Sequence, residues 1–308
     1  MSNHLRVRGL MPTEIKTDPL FESKLDKSLL TRRQFLAGAG VLAAGAAVTG
    51  GSSWAASDNF VVEHHEFRLK RLPAALDGIT LAQISDIHFN TYLGADYLNR
   101  VVATINELQP DLVVITGDFV TGSGPREQSL QDVRECAQVL AGLTPAIATV
   151  GILGNHDHDV GAGAMTTTLA TGAVRVLRNQ SIPVERAGAR LWLCGLDSAT
   201  RGRPDVAVTI SGIPRQDCKI VLVHEPDYAD VVARFPVDLQ LSGHSHGGQI
   251  RLPFIGPLIL PRLAYKYTKG RYRVRELTVY TNRGIGVIGV PMRMLCPPEI
   301  TFVTLRAG

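Results

Sequence analysis

The sequence predicts an α/β fold built on parallel strands, and three observations carry that expectation. Short runs dense in Val, Ile and Leu recur through residues 57–308 and are nearly continuous, as strands covered on both faces are. Helical stripes separate the early runs, which gives a βαβ order. Successive runs then end in Asp, Asn or His, at the edge where parallel sheets bind ligands. Overall, 45% of residues are hydrophobic and 19% charged, which excludes a disordered chain, and four cysteines in 308 residues exclude a disulfide scaffold.

Residues 1–55 read as a leader. No charge occurs from 34 to 57, and Thr31-Arg32-Arg33-Gln34-Phe35-Leu36 stands directly before that stretch. Two arginines, an apolar pair and an Ala/Gly-rich run follow the order of a twin-arginine export signal, and Ser53-Trp54-Ala55 places small residues for cleavage after Ala55. An uncleaved membrane anchor is the competing reading, since about 20 apolar residues span a bilayer. A run of Ala and Gly inserts less readily than one of Leu and Ile, so export is the expectation. The twin-arginine translocase would then be a partner during export, and the destination the periplasm or the outer face of the cytoplasmic membrane. That route carries folded proteins, so Cys136, Cys194, Cys218 and Cys296 would meet reducing conditions first and need no disulfide. None has CxxC spacing, which argues against a cysteine zinc site.

Residues 56–308 read as one domain, with no internal repeat or low-complexity linker. Strands are expected at 80–84, 112–116, 146–153, 191–196, 219–224 and 239–242. After the first, Leu98, Val101, Val102, Ile105 and Leu108 form an amphipathic stripe that Pro110 closes. Further helices are expected at 130–140, 164–170 and 227–233, and two late strands at 276–281 and 301–305. His64 and His65 lie in the alternating stretch 60–72 and read as strand-surface residues.

Polar residues cluster where these strands stop. Asp86 and His88 follow the strand at 80–84, Asp118 the next, and Asn155, His156 and Asp157 the third; His224 closes the fifth, and His244 and His246 follow the sixth. One such residue alone is ordinary, because an Asp after a strand is often a helix cap. Five strand ends together supply two Asp, one Asn and up to five His, a mixed N/O set suited to Zn, Mn or Fe rather than calcium. That is more than one tetrahedral ion needs, which points to two ions sharing a bridging carboxylate.

Asp86-Ile87-His88, Gly117-Asp118, Gly154-Asn155-His156-Asp157, His224 and Gly243-His244-Ser245-His246 together resemble the calcineurin-like metallophosphoesterase family, over roughly residues 60–305. More narrowly, Gly247-Gly248-Gln249-Ile250, Arg283-Gly284-Ile285-Gly286 and Pro297-Pro298-Glu299-Ile300 resemble its YkuE/YaeI-like bacterial phosphodiesterase branch, in which a twin-arginine leader is familiar. The resemblance implies a four-layer α/β/β/α sandwich of two mixed sheets. It implies one metal on Asp86, His88 and His246, a second on Asn155, His224 and His244, and Asp118 between them. It makes His156 the residue that stabilises the transition state or protonates the leaving oxygen. Two divalent ions (Mn, Zn, Fe or a mixed pair) would supply hydroxide for in-line attack on a phosphoester. Asp157 is left with two readings, orienting the His156 ring as carboxylates behind metal sites do, or capping the next segment. His158 and Asp159 read as loop residues.

Charge is divided along the chain. Residues 251–308 hold 10 Lys and Arg against 2 Asp and Glu, whereas 56–250 hold 15 against 22. The acidic middle suits cations and argues against a nucleic-acid surface. In the basic part, the apolar loop 254–261 lies between Arg251 and Arg262. Contact with an anionic membrane or lipid and packing under the second sheet both remain open for it. For the substrate, the resemblance implies a phosphodiester, with a UDP-2,3-diacylglucosamine-type nucleotide-sugar lipid and a membrane-associated phosphomonoester as alternatives. The nucleotide-sugar lipid is cytoplasmic, and an exported enzyme would not meet it.

Overall fold

The apolar runs anticipated as strands pair into two six-stranded sheets in the computed structural model, which describes residues 59–308. The export signal and the cleavage position after Ala55 lie outside the described residues. In chain order the strands are β1 (Val61–Leu69), β2 (Thr80–Ile84), β3 (Leu112–Ile115), β4 (Ala148–Gly151), β5 (Val174–Val176), β6 (Gln180–Arg186) and β7 (Ala189–Gly195). There follow β8 (Lys219–Leu222), β9 (Leu239–Ser242), β10 (Arg251–Leu252), β11 (Gly256–Pro257), β12 (Gly270–Val274), β13 (Leu277–Thr281) and β14 (Glu299–Ala307). The first sheet has the order β1-β14-β2-β3-β4-β5, the second β12-β13-β9-β8-β7-β6, and β10 and β11 form a separate hairpin. Strands β2 to β5 run parallel, as do β7, β8, β9 and β13, while β14 is antiparallel to β2, and β6 and β12 are antiparallel edges.

Alternation within single strands builds the layers. Ala82, Ile84, Val113 and Ile115 face α1 (Ala95–Glu107), α2 (Arg126–Leu140) and the shorter α3 (Asn155–Val160) and α4 (Ala162–Thr171). Their neighbours Leu81, Leu112 and Val114 face the other way, onto Leu193, Ile220, Leu222, Leu239 and Leu241 of the second sheet. Val221, Val223 and Val279 cover that sheet's far side beneath α5 (Val206–Thr209) and α6 (Ala229–Val232). Helices, sheet, sheet and helices thus make a mixed α/β fold of four layers, and both faces of the central strands are buried, which is why apolar residues dominate their sequences.

Register brings the strand ends level. Ile84 pairs with Ile115 and Ile115 with Gly151 in one sheet, and Gly195 pairs with Leu222 and Leu222 with Leu241 in the other. The buried Gln83 amide donates to the Ser242 carbonyl at 3.0 Å and ties the end of β2 to the end of β9 across the sheets. Among the described residues no helix is long and apolar enough to cross a membrane.

The differences from expectation are local. The strands expected at 146–153 and 219–224 stop at Gly151 and Leu222, releasing the residues that bend toward the site. The strand expected from 276 starts at Leu277, because Arg275 turns with φ 54° between β12 and β13. The helix expected at 227–233 divides into a 3-10 turn, Pro226–Tyr228, and α6. Edge strand β6 carries Pro183, a residue confined to sheet edges, and the apolar-run criterion does not detect it.

Candidate metal centre

The chain leaves each strand by an abrupt turn. Asp86, His88, Asp118, His244 and His246 all have φ between 46° and 67°, a left-handed region that side-chain-bearing residues seldom occupy and that concentrates at functional sites. Backbone bonds hold the turns: Asp86 N–H donates to Gly117 O at 2.9 Å, His88 N–H to Asp118 O at 3.1 Å, and Gly243 N–H to His224 O at 3.0 Å. Two glycines make the approach feasible. A Cβ at Gly154 would lie 2.1 Å from Asp118 Oδ1, and one at Gly243 would lie 1.8 Å from Ser85 Oγ.

The side chains assemble in two groups, each able to hold an ion: Asp86, His88 and His246, and Asp118, His224 and His244. In the first, His88 Nε2 is 3.2 Å from His246 Nε2, and His246 Nε2 is 3.4 Å from Asp86 Oδ1. In the second, His224 Nε2 is 3.1 Å from Asp118 Oδ2 and 3.2 Å from His244 Nδ1. The two groups meet at Asp118, whose Oδ2 is also 3.8 Å from His88 Nε2. Asn155 begins α3 beside them.

Partners outside the groups decide which ring nitrogen faces inward. His224 Nδ1 is 2.7 Å from Thr116 O, and His244 Nε2 is 2.8 Å from Arg262 O. A carbonyl only accepts, so those nitrogens carry hydrogens, which leaves His224 Nε2 and His244 Nδ1, turned on each other and on a carboxylate, as the nitrogens that can serve an ion. Such an arrangement requires positive charge at its middle. Buried Asn155 Oδ1 has no hydrogen-bond partner, a cost a native fold bears where another ligand satisfies the atom. The donor set therefore fits two divalent cations.

Burial also sets the proton affinities of the cation-free site. It pushes Asp86 up to about 6 despite His224, and lowers His88 to about 3 and His244 to about 4. For His224 burial acts downward, but the Asp118 charge outweighs it and raises the ring well above its ordinary value. Asp118 is the reciprocal case: burial would raise it, and His224 and His88 hold it low.

His156 stands beside the first group, its ring centroid 5.1 Å from that of His88, with Nδ1 2.7 Å from Thr121 O. Of the two readings for Asp157, orientation of the His156 ring is overturned, because Thr121 O occupies that nitrogen. Asp157 instead caps α3 through Gly154 N–H (2.9 Å) and clamps the preceding turn through Asp118 N–H (2.8 Å) and Phe119 N–H (2.9 Å). Burial, reinforced by the Asp118 charge, lifts its carboxyl to about 8. His158 and Asp159 are not loop residues either: both lie in α3, His158 bonded to Asp197 at 2.8 Å and Asp159 paired with Arg201 at 3.4 Å. His64 and His65 sit on β1, away from the centre, with His65 on Tyr280 OH at 2.9 Å.

Sequence reasoning missed three supporting residues. Glu225, next to His224, is buried and accepts from Ser198 Oγ, Ala199 N, Thr200 N and Thr200 Oγ1, pinning the 198–200 loop. Arg293 is buried and donates to the carbonyls of Gly286, Arg283 and His246. Thr121 receives two rings, His156 on its carbonyl and His88 on its hydroxyl at 3.1 Å. A charged residue inside an apolar stretch, as in Met292-Arg293-Met294, was the available signal for Arg293.

The profile of the calcineurin-like phosphoesterase family matches residues 79–248. The uncharacterized metallophosphoesterase YkuE of Bacillus subtilis is 38% identical over 285 residues, 90% of this chain and 98% of that protein. Phosphodiesterase YaeI of Escherichia coli is 30% identical, over 72% of this chain and 80% of its own length. Among solved structures, a dimetal phosphatase from Danio rerio superposes with a TM-score of 0.47 at 13% identity, covering 74% of this chain and 99% of that one.

Proposed function

The chain belongs to the calcineurin-like phosphoesterase family and is a metal-dependent phosphoester hydrolase, and from that premise we propose that it is a dinuclear, exported phosphodiesterase. The observation that carries the dinuclear reading is the pair of buried groups, Asp86–His88–His246 and Asp118–His224–His244, that meet at the Asp118 carboxylate. Asp86, His88 and His246 would hold one cation, Asn155, His224 and His244 the other, and Asp118 would bridge them. When bound, two such ions generate a nucleophile from water at neutral pH and polarise the phosphoryl oxygens.

This chain's own groups do the rest. Thr116 O, Arg262 O and Thr121 fix the ring orientations, so the ligands need no reorganisation when substrate arrives. With Nδ1–H committed to Thr121 O, His156 is left with Nε2 as the nitrogen that can face a departing oxygen. His156 is thus the proton donor to the departing alkoxide. A diester is favoured over a monoester by the likeness to YaeI, whose name records a phosphodiesterase. Thr31-Arg32-Arg33-Gln34-Phe35-Leu36 and the uncharged run after it support export by the twin-arginine route. The apolar residues exposed beside the site support a lipid-borne ester as the natural substrate.

The test is hydrolysis of bis(p-nitrophenyl) phosphate against p-nitrophenyl phosphate, with metal content measured on the same preparation. Turnover of the diester that chelation abolishes and Mn, Zn or Fe restores is the expected result. A preparation carrying two metal equivalents that hydrolyses neither ester would overturn the reading. Location is checked separately: Arg32→Lys with Arg33→Lys should retain the protein in the cytoplasm.

A further inference from the structure

Large apolar side chains exposed to solvent gather on one side of the metal centre. The β10–β11 hairpin and the segment after it expose Phe254 (109%), Ile255 (72%), Ile259 (68%) and Leu258, and the neighbouring loop exposes Leu295 (62%) and Val290. Tyr92, whose hydroxyl donates to Gly289 O, and Tyr265 are exposed as well, and the other large apolar residues exposed among those described are Val61, Ile147 and Val208, scattered singly. The sequence left open whether residues 254–261 pack beneath the second sheet, and they do not.

The rim is built onto the ligand-bearing turns. Arg251 N–H donates to Met294 O at 3.0 Å, and the Gln249 amide holds Ile288 O and Val290 O, so hairpin and loop are stitched together. Arg262 O receives His244 Nε2, and Pro257 packs so closely on Gly248 that a Cβ there would lie 2.2 Å away. Charge follows the apolar tip: no acidic residue occurs from 249 to 275, and Arg251, which donates to Gly247 O, and Arg262 flank the tip without a carboxylate partner among the described residues.

We propose that this rim docks the protein on an anionic lipid bilayer, with Phe254, Ile255 and Ile259 entering the acyl boundary and Arg251 and Arg262 meeting headgroup phosphates. Apolar residues with a cationic flank are the composition of an interfacial anchor. A second copy docked rim to rim would bring the Arg251 and Arg262 charges of both chains together, which disfavours the chain itself as the occupant. Docking would bring His244 and the cations it serves to headgroup level. The inference rests on the surface alone and stands whether or not the hydrolase is specific for diesters.

The experiment uses the full chain, so that any contribution of the leader is common to every sample. On vesicles of equal parts phosphatidylglycerol and phosphatidylcholine, Phe254→Ser/Ile255→Ser/Ile259→Ser is expected to reduce retention at least about tenfold, with bis(p-nitrophenyl) phosphate turnover kept within about twofold. Independently of the leader, the added emission of Phe254→Trp should shift to the blue on these vesicles, less so in high salt, and stay unmoved on phosphatidylcholine alone. Unmoved emission on the anionic vesicles overturns the proposal, as does equal insertion into both lipids. So does a dimer in sedimentation that the triple substitution dissolves.

Discussion

His156 is held unlike its neighbours: Thr121 O fixes one nitrogen, and no ligand group claims the other. His156→Ala should therefore lower kcat by about 10²- to 10⁴-fold while two metal equivalents remain on the protein. Assay and metal analysis of one sample decide it, and parental turnover in the variant would remove His156 from the reaction. Gly243 shows the opposite sensitivity, since a methyl there meets Ser85 Oγ and, at 2.4 Å, Asp86 Oδ2. Gly243→Ala is expected to displace Asp86 and empty the Asp86–His88–His246 group, read as loss of one metal equivalent. Most ligands at this scale were legible in the sequence because each sits within a few residues of a strand end. The ring partners were not, because Thr116 and His224 are 108 residues apart and Thr121 and His156 are 35 apart.

Elements carry the site only where they are fastened. Glu225 accepts four bonds from the 198–200 loop after β7, so Glu225→Ala strands the buried Ser198 hydroxyl at about 1–3 kcal/mol and releases three part-buried donors of Ala199 and Thr200 at a smaller cost. The variant should become sensitive to proteolysis near 198–203 before it loses the rest of its fold, and equal resistance to protease would refute that role. The facing strands are fastened by packing. Leu222 is fully buried between the sheets, and Leu222→Ala should cost about 2–5 kcal/mol in denaturant unfolding. Strands β3 and β8 were legible because burial on both faces makes them almost continuously apolar. Strands β5, β6 and β12 were not, being a three-residue strand and two antiparallel edges with polar alternation.

For the whole molecule, cations and thiols give contrasting readouts. Ions that bind the folded chain and not the unfolded one stabilise it by mass action, about 2.7 kcal/mol at a hundredfold excess over Kd, so chelation should lower Tm and added metal restore it. A Tm indifferent to chelation would mean that the centre holds no ion in the folded protein. Cys136, Cys194, Cys218 and Cys296 are free and buried, and burial lifts Cys194 to about 12. A thiol reagent should find none of the four in the native protein and all four in denaturant. Four reactive thiols before unfolding would contradict the core that encloses them.

By itself the amino-acid order determined which chemistry arrives at each strand end, because a strand buried on both faces announces itself in apolar residues and the first polar residue after it marks the edge. It also determined that mixed N/O donors come in a number suited to two ions. Only the tertiary structure decided that the ends of two separate sheets converge, since that depends on register and on links such as Gln83 to Ser242 between strands 159 residues apart. It likewise decided which nitrogen of each imidazole faces the centre, what Asp157 holds, and that the apolar loop beside the site lies open to solvent. Those outcomes are set by contacts between elements, and no local pattern encodes them.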